Sequence, residues 1–230
     1  MNGVNSNTVR LTHSIPQGSN LGPLLFLIYI NDFPCCSNYF KFIMFADDCT
    51  VTSRVARNEL PVAHTAINDN LCRISEWLVS NKIQINVSKT KYLIYSLRGD
   101  MEFMFPVKMG RSVIARENSV KFLGVILDNR LSFSMHIDSI SSKISRTLGV
   151  LSKISSFVPR RVLVSLYYSL VQPYISYALE ARYGAPAYLT NKIVVLQKRA
   201  IRCICSLGYN EHTQPHFENM RVLTLSLIHI

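Results

Sequence analysis

The chain has 230 residues, 48% of them hydrophobic and only 17% charged, which is enough apolar material for one or two cores and too little polar bias for a disordered chain. Its six cysteines are scattered rather than set in a dense framework, which suits a reducing, intracellular setting. The net charge of +11 is uneven: from Ser139 onward eleven basic residues face three acids, so eight of the eleven net charges lie in the last 92 residues, as if a polyanion lay along that half.

The longest apolar run, 24–30, is far too short for a membrane span, and the first fifteen residues lack the apolar segment of a secretory signal. Val9, Leu11 and Ile15 alternate with polar residues, as in a strand, and this start is expected to be an interruption of a longer sequence. Residues 18–32 read as a loop feeding a buried helix, with turn chemistry at Pro16-Gln17-Gly18-Ser19 and helical spacing at Leu21, Leu24, Leu25 and Ile28. Two strands, 40–45 and 49–52, then flank Ala46, Asp47 and Asp48, which predicts a β-hairpin with two acids at its tip.

Leu60, Ala63, Ile67, Leu71, Ile74 and Leu78 step by three or four and predict an amphipathic helix broken at Asn81-Lys82, with Trp77 in the core. Strands are expected at Ile83, Ile85 and Val87, at 91–95, and at 120–127 around Gly124, before a turn at Asp128-Asn129. Beyond about Met135 only helices are expected. One carries Ile137, Ile140, Ile144, Leu148 and Leu151; a second, 160–177, bends or ends near Pro173; a third carries Ile193, Leu196, Ala200, Ile204 and Leu207. A boundary near Ser134 thus separates an α+β part, 1–134, from an all-helical part, 135–230.

Adjacent carboxylates at a hairpin tip repel each other unless a cation or solvent compensates. Hard divalent ions bind through one or two carboxylates plus substrate phosphates, and in two-metal phosphoryl transfer such ions activate the attacking oxygen and stabilise the leaving group. Taken alone, an aspartate pair in a turn is more often a solvated loop. Here, however, Phe45-Ala46 seats the pair on an apolar strand, and a glycine-bearing loop and helix precede it. Cys203, Cys205, His212 and His216 suggest zinc only superficially: the two cysteines would point to different helix faces and the spacing fits no common knuckle.

Ser14-Ile15-Pro16-Gln17-Gly18-Ser19-Asn20-Leu21-Gly22-Pro23-Leu24-Leu25-Phe26, Tyr29-Ile30-Asn31-Asp32 and Phe45-Ala46-Asp47-Asp48 together resemble the reverse transcriptases of non-LTR (LINE-like) retrotransposons. Further matches follow in order: Trp77-Leu78, Asn81-Lys82 and Asn86; Lys89-Thr90-Lys91; Lys121-Phe122-Leu123-Gly124-Val125 with Leu127-Asp128; and Leu196-Gln197-Lys198 with Arg199-Ala200-Ile201-Arg202. The resemblance covers nearly the whole chain. It implies a polymerase-type palm, an antiparallel sheet with packed helices, followed by a helical thumb-like region.

The same resemblance implies Mg²⁺ as the metal, with Asp47 its direct ligand and Asp48 a less direct partner. Pro16, Gln17, Gly18, Phe45 and Ala46 would lie along the template and incoming nucleotide, with Lys89 near the leaving pyrophosphate and Phe122, Leu123 and Gly124 forming a hairpin that grips the primer end. The plain alternative for Lys89 is a solvated lysine beside a strand. Partners would be an RNA template, a DNA primer and deoxynucleoside triphosphates, with no membrane.

The family also needs a palm aspartate upstream of Pro16, and the first acid in this chain is Asp32. The expectation is therefore a segment of an RNA-directed DNA polymerase that lacks fingers and is inactive on its own. Two alternatives stand beside it: a non-catalytic nucleic-acid-binding remnant, and a degraded reading frame with no selected function.

Overall fold

In the computed structural model, residues 18–96, 99, 103, 106–220 and 222–225 are described. Two compact units divide the chain: the first is Met1–Lys91 with Glu102–Ala115, the second Tyr92–Met101 with Arg116–Ile230. Mixed helix and strand give an α+β chain, but the described strands pair two by two rather than forming one larger antiparallel sheet.

In the first unit, helix α1 (Gly22–Ile30) starts with Pro23 in its first turn, where a missing N–H costs nothing. It forms where the spacing placed it, yet it is not the buried helix expected: only Ile30 is buried, while Leu21, Leu24, Leu27 and Ile28 are each more than half exposed. The run is apolar on every side, so periodicity had no face to select. A 3₁₀ turn, Phe33–Cys36, then buries Phe33, whose ring meets Phe42 edge-on at 5.3 Å and Trp77 at 4.8 Å. Trp77 is accordingly half-buried on that ring.

Strands β1 (Lys41–Phe45) and β2 (Asp48–Thr52) form the antiparallel hairpin, paired from Lys41↔Thr52 to Phe45↔Asp48. Helix α2 (Leu60–Ser80) buries Ala63, Ile67, Leu71, Ile74 and Leu78, the stripe its spacing predicts. Two asparagines peg it: Asn70 Oδ1 accepts from Ser37 Oγ at 2.8 Å, and Asn68 Oδ1 accepts from Lys108 N at 2.8 Å.

The strand expected at 83–87 is absent. Asn86 ends it, because its Oδ1 accepts from Ser88 Oγ at 2.7 Å and from Lys89 N at 3.2 Å, and this local bonding makes a turn. Short strands follow: β3 (Lys91–Tyr92), β4 (Lys108–Met109), β5 (Ser112–Val113) and β6 (Ala115–Arg116), with β4 paired to β5.

In the second unit, the stretch 120–127 that the apolar pattern reads as a single strand is a hairpin, as the resemblance implies at Phe122, Leu123 and Gly124: β7 (Ser119–Phe122) and β8 (Val125–Asp128). Leu123 (φ 44°) and Gly124 (φ 86°) make its two-residue turn; two left-handed residues in succession match the twist of paired strands. Leu131 and Phe133, on the way to helix α3 (Ser134–Ile154), are left-handed as well.

The Asp128 carboxylate holds that passage. It accepts from the backbone N–H groups of Arg130 (3.0 Å), Ser132 (3.0 Å) and Phe133 (2.9 Å), and from Ser132 Oγ (3.1 Å). Burial disfavours the charged carboxylate, but these bonds outweigh burial and hold its pKa below the usual range. His136, in the first turn of α3, accepts from Ile126 N at 3.3 Å through Nδ1.

Helices α4 (Arg160–Leu170), α5 (Gln172–Ser176), α6 (Ala187–Cys205) and α7 (Gln214–Asn219) complete the unit. The predicted second helix is thus interrupted, at Val171, just before Pro173. Strands give way to helices at Ser134, but the compact units divide elsewhere, since the β7–β8 hairpin belongs to the helical unit.

One core joins Ile137, Ile144 and Leu151 of α3 to Tyr167, Ile175, Ile193, Ile201 and the C-terminal Leu225. A polar peg runs through it. Gln197, fully buried, donates to Tyr167 Oη (3.0 Å) and Leu223 O (2.9 Å) and accepts from Leu225 N (3.1 Å). Tyr167 in turn donates to Gln172 Oε1 at 2.9 Å, and burial pushes its phenol up to about 12.

Asp128→Asn is expected to destabilise the second unit by roughly 1.5–3 kcal/mol at pH 7. A depressed carboxyl contributes fully above the unfolded value of about 3.9, and that contribution fades as pH falls through the folded value. The gap between the variant's urea midpoint and wild type's should therefore narrow from pH 7 to about pH 3. Gln197→Ala orphans a buried N–H and a buried carbonyl, and thermal unfolding should show a loss of roughly 2–4 kcal/mol, with Tyr167→Phe losing about 1 kcal/mol.

Candidate functional site

The acidic turn is built by the β1–β2 register. Phe45 pairs with Asp48, leaving Ala46 and Asp47 as the two turn residues, and Ala46 adopts a left-handed φ of 52°. A residue with a Cβ pays roughly 1 kcal/mol for that conformation, so the ladder on both sides must hold it. Asp47 and Asp48 are exposed, and neither carboxylate has a hydrogen-bond or ion-pair partner among the described residues. Phe45, beside them, is 63% exposed, and Ile43 and Met44 are also open to solvent.

Two unengaged carboxylates on a paired hairpin suit a hard divalent cation, which takes oxygen ligands and completes its shell with water or phosphate. Among the described residues, no group of three or more histidine, cysteine or acidic side chains could hold a metal by itself. The turn by itself therefore offers two carboxylates, fewer ligands than a hard divalent cation takes. Cys203 and Cys205 are free thiols, as are the other four cysteines, and Cys205 Sγ takes Arg160 Nη2 at 3.2 Å.

Of the residues expected along template and nucleotide, Pro16 and Gln17 lie outside the described residues. Gly18 is described: its φ is +87° and no atom lies within 4 Å of where a Cβ would stand. That backbone suits glycine, and the open space leaves room for close approach. Lys89 is exposed in the turn organised by Asn86, in the same unit as Asp47, and its ammonium has no partner among the described residues.

Phe122, Leu123 and Gly124 belong to the other unit, at the β7–β8 turn. Here the structure adds a residue that the sequence did not announce. Tyr177, just beyond α5, donates its hydroxyl to Leu123 O, and its ring lies 3.3 Å from where a Gly124 Cβ would be. The turn is thus backed from behind by an aromatic ring, across 54 residues of sequence. No local pattern signals such a contact.

Most of the basic residues of the second unit are on its surface, among them Lys143, Arg146 and Lys153 on α3, Arg161 on α4, and Lys198 and Arg199 on α6. Lys192 is bridged to Asp138 at 2.8 Å. Arg182 is the exception: it is 4% exposed, donates to Ile175 O, and leaves Nε and Nη1 without partners. It lines a small cavity with Ile137, Leu179, Thr190, Ile193 and Leu225, none of them a candidate site residue. No helix among the described residues is long and apolar enough to cross a membrane.

Comparison with known proteins bears on this arrangement directly. The profile of the family described as reverse transcriptase (RNA-dependent DNA polymerase) matches residues 1–127. A probable RNA-directed DNA polymerase from transposon X-element of Drosophila melanogaster is 39% identical over 134 residues, 56% of this chain and 14% of that protein. The RNA-directed DNA polymerases from mobile element jockey are 24% identical over 96% of the chain in Drosophila melanogaster and 28% identical over 92% in Drosophila funebris. The chain spans 25% and 24% of the length of these two relatives. No solved structure gives a significant match. With the acidic hairpin falling inside the matched stretch, the chain belongs to the reverse transcriptase (RNA-dependent DNA polymerase) family, and to its LINE-like, non-LTR transposon members.

Proposed function

We propose that the chain is the part of a transposable element's RNA-directed DNA polymerase that carries the metal-binding turn and the primer grip, acting inside the cell in two-metal nucleotidyl transfer. The observation that carries this reading is the pair of exposed, unpartnered carboxylates, Asp47 and Asp48, fixed on a paired hairpin. A bound pair of Mg²⁺ ions would supply activation of the primer 3′-oxygen and neutralisation of the departing pyrophosphate. Asp47, in the turn itself, is placed to ligate directly; Asp48, on the strand, assists. Gln17 and Gly18, following Pro16, line the path of template and nucleotide, with Phe45 and Ala46 as the floor under the acids. Lys89 meets the pyrophosphate charge, and Phe122, Leu123 and Gly124 hold the primer end, stiffened by Tyr177.

Two carboxylates are fewer than a two-metal site needs, so the 230 residues alone bind nucleic acid but do not extend a primer. The second reading, a non-catalytic nucleic-acid-binding remnant, draws on the basic surface of the second unit and shares that binding. The two readings differ in what the acids do.

Primer extension on an RNA template with Mg²⁺ should give no incorporation above background for the chain alone; measurable synthesis would sink the claim of an incomplete site. When the segment is placed within a polymerase of full relative length, Asp47→Ala should abolish synthesis, by about 10³-fold or more, and leave template–primer affinity within about twofold. Loss of duplex binding in Asp47→Ala would instead make the acids structural. The chain's affinity for a template–primer duplex should fall steeply with salt, with a log–log slope of about −4 if four or five phosphates are neutralised.

A further inference from the structure

One end of the second unit carries a feature that the polymerase reading leaves unused. The turn between α3 and α4, residues 155–159, presents Phe157 with 83% of its surface exposed, held by Phe157 N–H and Val158 N–H donating to Ile154 O at 2.9 and 3.2 Å. Lys153 precedes it and Arg160 and Arg161 follow, all exposed, with no acid between them. The C-terminal end of α6 is tied to this turn, since Arg160 Nη2 donates to Cys205 Sγ at 3.2 Å.

Just past α6 stands a second open ring. Tyr209 is 90% exposed, and the Arg202 guanidinium lies 6.0 Å from its centroid. The loop bearing it is fixed, because Glu211 Oε1 accepts from Gly208 N at 2.8 Å. No acidic residue occurs from Lys192 to Tyr209. Two bare aromatic rings on fixed turns, interleaved with four cations, have the composition of a surface on which bases stack while phosphates are neutralised. An acidic peptide would use the cations and leave both rings in water. A lipid surface calls for a broad apolar face rather than two separate rings set among guanidinium groups.

We propose that this end of the second unit is a stacking platform for unpaired RNA, with Phe157 and Tyr209 each receiving a base and Lys153, Arg160, Arg161 and Arg202 meeting the phosphates. The choice of RNA rests on the reading of the chain as part of an RNA-copying enzyme, which must hold template that is not yet paired. Stacking is indifferent to base identity, so the platform lets template slide while keeping it extended.

Anisotropy titrations of the full 230-residue chain with an unstructured RNA of about 20 nucleotides, and with a template–primer duplex, test this. Phe157→Ala and Tyr209→Ala should each weaken binding of the single strand by about tenfold and change duplex binding by less than about twofold. Phe157→Trp should retain single-strand affinity and Phe157→Leu should not, because the ring rather than its apolarity matters. Lys153→Gln with Arg161→Gln should lower the single-strand salt slope by about 1.4. Single-strand affinity unchanged in both ring variants, with duplex binding intact, overturns the platform and leaves the polymerase reading standing. Equal, Phe157-dependent binding to phosphatidylserine vesicles or to polyglutamate also overturns it. If neither RNA nor duplex binds, the polymerase reading fails along with it.

Discussion

Asp128 sits where strands turn into helices, and its carboxylate makes that turn possible. Between β8 and α3 the backbone passes twice through left-handed conformations, at Leu131 and Phe133, each costing roughly 1–2 kcal/mol for a residue with a Cβ. Four hydrogen bonds to one charged, largely buried group offset that strain and point α3 back across the hairpin. With α3 so directed, its stripe from Ile137 to Leu151 meets α6, and the core of the second unit follows. The hairpin itself is then fixed at three places: its base by Asp128, its middle by the His136 ring at Ile126 N, and its tip by Tyr177. The hairpin is thus braced along its length, as the grip proposed for its tip requires.

The first unit is arranged differently. Its acidic turn stands on a two-stranded ladder whose apolar residues Ile43, Met44 and Phe45 remain open, and helix α1 offers apolar side chains on nearly every side. Such surfaces are normally covered. The chain spans about a quarter or less of the length of the relatives it matches.

Much of this was legible in the residues. The stripes of α2, α3 and α6 stepped at helical spacing, and the acidic hairpin stood between two β-rich runs. What failed did so for local physical reasons. The β7–β8 hairpin looked like one strand because Leu123 occupies a left-handed turn position that its side chain does not advertise. The strand at 83–87 lost to the Asn86 side chain, which bonds its own backbone more readily than a neighbouring strand. Burial was hardest to read where polarity misled: Gln197, inside a basic-looking run, is a core residue, while the apolar α1 is not. Of the candidate site, the hairpin from Phe45 to Asp48 was legible as a turn between strands, whereas Tyr177 acts across a contact that only folding creates.

Arg182 gives the unit an unusual internal electrostatics. Its guanidinium is sealed in the core with two nitrogens, Nε and Nη1, unanswered among the described residues, and its charge acts on a histidine that needs to stay neutral. His136 can accept the Ile126 N–H only while Nδ1 is unprotonated. Burial lowers its pKa first, and the Arg182 charge and then Lys143 lower it further. The unpaired cation, a burden on folding, thereby acts as a proton repellent for that imidazole. The β7–β8 hairpin thus keeps its histidine anchor to lower pH than an ordinary histidine would allow.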